Sequence, residues 1–204
     1  MRARRLKLSL LATFALAVAS GLAWQFLALR AVQAISSLSD PAKLATLGKR
    51  GANPRLNKIV YWLDAARSQG ASPELTITLA QLYNFTREPR ASLVKASLLR
   101  NLKIADGLGL FTSENADRLR RGHAAVITRG PYTGKNVEID HIVPVSLAPE
   151  AGNELANLEM LPEPLNRSKS DRVGPRQLAH AETLAQAGLL TAESLARVRA
   201  KASQ

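Results

Sequence analysis

The chain has 204 residues, a net charge of +12 and no cysteine, which excludes disulfides and thiolate zinc sites. Aromatic residues make up only 4%, while alanine and leucine are plentiful, a balance that favours helices with enough apolar surface for a real core. A sequence pI near 10.7 points to a polyanionic partner, either nucleic acid or an anionic membrane surface.

The first element is the apolar run. "MRARRLK" precedes a stretch without charge from Leu8 to Leu29, which as a helix would reach ~33 Å, enough to cross a bilayer core of ~30 Å. Cations ahead of such a run stay cytoplasmic, so the remainder is expected to be exported. Residues 1–36 read either as an uncleaved transmembrane anchor or as a signal peptide with Ala17-Val18-Ala19 as its small-residue cleavage site. "SSLSDPAKLATLGKRGANPR", residues 36–55, reads as a tether with a short helix.

A helical region is predicted over residues 37–121. Leu56, Ile59, Val60 and Leu63 share one helix face, and Gly70 should end that helix. Ser72-Pro73 supplies an N-cap and a first-turn proline for a helix through about Tyr83, although "LTIT" inside it also has strand character. A longer helix is expected from about Pro89 to Ala105, with Val94, Leu98 and Leu102 inward. Thr112 should cap another that ends at "RLRRG". After Gly122 the composition shifts to strand and turn. "GPYTGK" lacks the glycine spacing of a phosphate-binding loop, and Asn136 follows its lysine. Residues 175–204 read as two amphipathic helices joined at Gly188, with Thr191 capping the second.

Between these lies the stretch that carries chemistry. Val137 and Ile139 alternate with Glu138 and Asp140, as in a half-buried strand that ends in Asp140-His141. Residues 157–160 form a plausible second strand. Pro162 and Pro164 suit the first turn of a helix, where backbone N–H groups have no intrahelical partner. Asn166 and Lys169 are three residues apart and so share a face of it. Strand, loop, strand and helix would bring Asp140-His141 opposite Asn166. A carboxylate and a carboxamide oxygen are hard ligands suited to Mg²⁺. A histidine with a pKa of ~6.5 can take a proton from water near neutral pH. Together they suffice for metal-assisted phosphodiester hydrolysis.

The ordered set Asp140-His141-Ile142-Val143-Pro144, Asn157-Leu158 and Asn166-Arg167-Ser168-Lys169-Ser170-Asp171 resembles the HNH endonucleases. The motif covers roughly residues 130–173, and the resemblance implies a ββα-metal unit over residues 122–174 within an α+β protein. It implies Asp140 and Asn166 as ligands of a divalent metal, Mg²⁺ before Mn²⁺, with His141 as the general base. It further implies Asn157 as the residue that braces the loop and orients that histidine, and Lys169 as a phosphate contact. Arg167 and Arg172 extend the basic surface towards nucleic acid, DNA first. Asn166 stands where other members carry a final histidine, and the structural zinc of many relatives has no cysteines here, so neighbouring helices must brace the unit. The rival expectation is an HNH-like module that binds nucleic acid or acts as an envelope adaptor without catalysis. His123 and His180 read as surface and structural histidines. "NFT" and "NRS" match glycosylation acceptors, but modification of the second would block Asn166.

Overall fold

The computed structural model describes residues 28–204, so the expected anchor or signal run falls almost wholly outside them. Its helices are α1 (residues 28–39), α2 (Pro41–Ala45), α3 (Asn53–Arg67), α4 (Pro73–Tyr83), α5 (Arg90–Gly107), α6 (Ser113–Arg121), α7 (Glu163–Lys169), α8 (Pro175–Gln186) and α9 (Ala192–Ala202). Two strands, β1 (Val137–His141) and β2 (Leu158–Pro162), form the one sheet among the described residues. The class is therefore α+β, mostly helical. No helix among the described residues is long and apolar enough to cross a membrane.

Local signals account for most helix ends. At α4 the Ser72 hydroxyl accepts from the Leu75 N–H at 3.2 Å and Pro73 occupies the first turn. The cap and proline prevail over the β-branched "LTIT", which is helical throughout. At α6 the Thr112 hydroxyl accepts from the Asn115 N–H at 3.2 Å. Gly122 closes that helix at φ 86°, where a Cβ would also lie 2.8 Å from the Pro54 carbonyl oxygen. Only glycine fits both demands.

One hydrophobic cluster runs from Val32 in α1 to Val198 in α9. This moves a boundary expected at residue 36. Ala31, Val32 and Ile35 are buried, so α1 belongs to the folded body. Leu44 and Ala52, in the expected tether, are buried as well. Isolated apolar residues among turn formers carry no periodicity, and only tertiary packing reveals them.

The sheet sits on α5. β1 and β2 pair antiparallel, with Asp140 opposite Glu159 and His141 opposite Leu158. The Asn101 side chain donates to the Leu158 carbonyl at 3.0 Å and accepts from the Met160 N–H at 2.6 Å. An asparagine of α5 thus does for the free edge of β2 what a third strand would do. β2 begins one residue later than predicted, because Asn157 is occupied in the preceding loop.

Candidate functional site

Alternation along β1 separates its two faces. Val137 packs into the core, while Glu138 and Asp140 meet α7. Pro162 and Pro164 start α7 directly after β2, and its short length brings Asn166 and Lys169 over β1. The Asn166 amide donates to Glu138 Oε2 at 2.6 Å. The Lys169 ammonium donates to Asp140 Oδ2 and to the His141 carbonyl, each at 2.6 Å. Glu159, opposite Asp140 and 3% exposed, is held by the Arg176 guanidinium. Each carboxylate on this face therefore has its own donor, which prevents like charges from repelling unrelieved.

His141 is buried, and its Nε2 lies 2.8 Å from the Gly152 carbonyl oxygen. A carbonyl only accepts, so Nε2 carries the proton and Nδ1 keeps its lone pair. Burial lowers the His141 pKa below the ordinary 6.5; the nearby Arg50 and Lys169 charges push the same way, partly opposed by the Gly152 bond and Asp140. The imidazole is accordingly neutral near pH 7, the state a proton acceptor needs.

The Gly152 carbonyl is itself positioned by Asn157. The Asn157 Oδ1 accepts from the Val143 N–H at 2.8 Å, and Nδ2 donates to the carbonyls of Val143 at 3.0 Å and Ala151 at 3.3 Å. Its backbone carbonyl accepts from the Ile142 N–H at 2.8 Å. One fully buried side chain thus ties the segment after His141 to the 3₁₀ turn Pro149–Asn153, where Gly152 lies.

Asp140, His141 and Lys169 line a cleft of about 450 Å³ with Lys49, Arg50 and Ser146. The Lys49-Arg50 pair escaped the sequence reading, which placed it in a tether. It is pinned by Asn153: Nδ2 donates to the carbonyls of Leu47 and Gly48, both at 3.1 Å, and Oδ1 accepts from the Ala52 N–H at 3.1 Å. Arg50 adopts φ 61°, a left-handed conformation that costs a side-chain-bearing residue about 1–3 kcal/mol and persists only where its surroundings fix it. Two adjacent cations between Gly48 and Gly51 were the available signal. The Gly152 carbonyl had none, since a backbone group leaves no mark in a sequence.

Other expected contacts lie elsewhere. Asn166 borders a separate cleft with Glu138, Asn53 and Asn57, and its amide is engaged by Glu138 rather than turned to Asp140. Arg167 pairs with Glu163 of its own helix. Arg172 is exposed and donates to the Lys169 carbonyl at 3.2 Å; neither arginine lines the cleft of His141. His123 is exposed. His180 lies half-buried on α8, and burial together with the Arg100 charge lowers its pKa to about 4.

Among the described residues, no three His, Asp, Glu or Cys side chains converge. The donor chemistry nonetheless fits a hard cation. Between the Asp140 carboxylate and the His141 carbonyl the structure places a positive charge, the Lys169 ammonium. Mg²⁺ commonly takes only one or two protein oxygens and completes its shell with water and phosphate. Asp140 would supply one oxygen, while Asn166, the other expected ligand, borders the separate cleft with its amide held by Glu138. Set against protein-family models, curated proteins and solved structures, the chain matches none.

Proposed function

We propose that the chain is a divalent-metal-dependent endonuclease of the HNH type that hydrolyses phosphodiester bonds of nucleic acid, DNA first, outside the cytoplasm. The observation that carries this reading is the bond from His141 Nε2 to the Gly152 carbonyl, which leaves Nδ1 as a proton acceptor in a basic cleft. In the proposed step, Nδ1 takes a proton from water as the water oxygen bonds to phosphorus. The opposite P–O bond breaks, its electron pair stays on the sugar oxygen, and that oxygen takes a proton from solvent. Lys49, Arg50 and Lys169 hold the phosphate oxygens. Mg²⁺ or Mn²⁺, held at Asp140, would offset the charge that develops on phosphate and leaving oxygen.

The Lys169–Asp140 contact favours a second reading. If the ammonium never yields the carboxylate, the same basic cleft is a nucleic-acid-binding module without cleavage. The two readings separate on supercoiled plasmid incubated with the full-length chain in detergent. Nicking that requires Mg²⁺ or Mn²⁺ and stops with EDTA supports the nuclease. Plasmid retention without nicking at any metal concentration supports the binding module, and nicking undiminished in excess EDTA contradicts the metal assignment. The full chain is needed, because a cut at residue 36 would remove the buried Ala31, Val32 and Ile35.

A further inference from the structure

The outward face of α4 is the apolar one. Leu75, Leu79 and Leu82 recur at i, i+4 and i+7, and they stand 58%, 37% and 66% exposed. Tyr83 flanks them, and Phe85 in the following turn is 81% exposed at φ 56°. On the inward side, Thr76 and Gln81 are buried beside Ile77 and Ala80, with Gln81 Nε2 donating to the Ala91 carbonyl at 2.8 Å. An ordinary surface helix hides its leucines and shows its polar side chains. Of seven large apolar side chains exposed among the described residues, five lie on this one helix and its turn. Such a contiguous patch marks an interaction surface rather than scattered exposure.

We infer that α4 lies in the plane of a lipid bilayer surface, with Leu75, Leu79, Leu82, Tyr83 and Phe85 seated in the boundary between headgroups and acyl chains. The inference rests on the reading of residues 8–29 as a membrane-inserting run. The Asn84 amide, at the end of α4, donates to the Ser36 carbonyl at 3.0 Å and to the Ser39 hydroxyl at 3.1 Å. The two helices are thus fixed end to end. From Ser39, α1 reaches back ~16 Å to residue 28, next to Leu29 at the end of the uncharged run. Wherever that run enters a bilayer, the apolar end of α4 is within a helix length of the same surface. A helix of 11 residues is too short to span the bilayer, which leaves the in-plane arrangement. Tyrosine and phenylalanine at its end suit the interfacial zone. Glu74 and Glu88 offset Arg87 and Lys95 around the patch, so the attachment is apolar and does not depend on anionic lipid.

The absence of cysteine makes the test clean. Single substitutions Leu16→Cys, Leu79→Cys, Phe85→Cys and Lys201→Cys are each labelled with a nitroxide. Each full-length chain is made by cell-free synthesis into phosphatidylethanolamine–phosphatidylglycerol vesicles. Collision with oxygen is then compared with collision with an aqueous nickel complex. Labels at positions 79 and 85 are expected to favour oxygen, at a depth of about 5–10 Å. They should do so equally in phosphatidylcholine and at high salt, while position 201 favours nickel. Nickel-dominated collision at 79 and 85 overturns the inference. Spin coupling between copies at those positions, with neither quencher reaching them, also overturns it in favour of self-association. The label at 16 reads the inserting run separately: oxygen there with nickel at 79 and 85 sinks the docking and leaves the anchor standing.

Discussion

The His141–Gly152 bond selects a tautomer, and burial favours the neutral form of the same ring. His141→Ala is therefore expected to lower single-turnover plasmid nicking by ~10²–10⁴, about 3–5 kcal/mol of barrier. Duplex affinity should change little, since lysines and arginines supply the phosphate attraction. Only neutral imidazole accepts the proton, and its folded pKa lies below 6.5. The rate should rise with pH through a midpoint below that value and be lost as pH falls through it; a pH–rate profile with a midpoint above it contradicts the assignment. Lys169 offers a second measurement. Its ammonium holds the carboxylate oxygen that a divalent cation would take. Lys169→Met should lower the Mg²⁺ concentration for half-maximal nicking while reducing the maximal rate, through the lost phosphate contact. A rise in half-saturating Mg²⁺ would show that the lysine does not compete with the metal.

At the scale of elements, the loop between β1 and β2 depends on one buried amide. Asn157→Ala strands the Val143 N–H and two carbonyls, and each buried group left unpaired costs about 1–3 kcal/mol. The urea midpoint should drop accordingly, and nicking should fall further than stability alone predicts, because the Gly152 carbonyl loses its register. An unchanged midpoint would mean that water enters and replaces the amide. Much of this architecture was legible in advance. Ser72, Thr112 and Thr191 cap helices as their sequence positions imply, because capping is local. The strand–strand–helix order was legible for the same reason, through alternation and paired prolines. What escaped is non-local. Asn153 reaches Gly48 across 105 residues, and Asn101 reaches Met160 across 59; no periodicity encodes such distances. Asn166 and Lys169 both reach over β1 from α7, but nothing in the spacing revealed that Glu138 would hold the Asn166 amide.

For the whole molecule, the segments 37–121, 122–174 and 175–204 share a single core, and α5 carries the sheet. The cleft takes Lys49 and Arg50 from the N-terminal third and its remaining residues from positions 140–171. Export is the expectation for this body as a unit, since cations precede the uncharged run. A reporter active only outside the cytoplasm, fused after Gln204, should be active. Signal from a cytoplasm-only reporter at the same position would refute the orientation.

The clip made by Asn153 also bears on when the cleft comes into being. Synthesis delivers Lys49 and Arg50 long before Asn153 and Lys169, and contacts between distant segments form late. A nascent chain that has emerged only through the helical region holds the basic pair but not the acid, the base or the clip. A polypeptide threaded across a membrane while unfinished would assemble its cleft only on the far side. On the proposed reading, the order of the chain alone would keep the completed site apart from the genome of the cell that makes it.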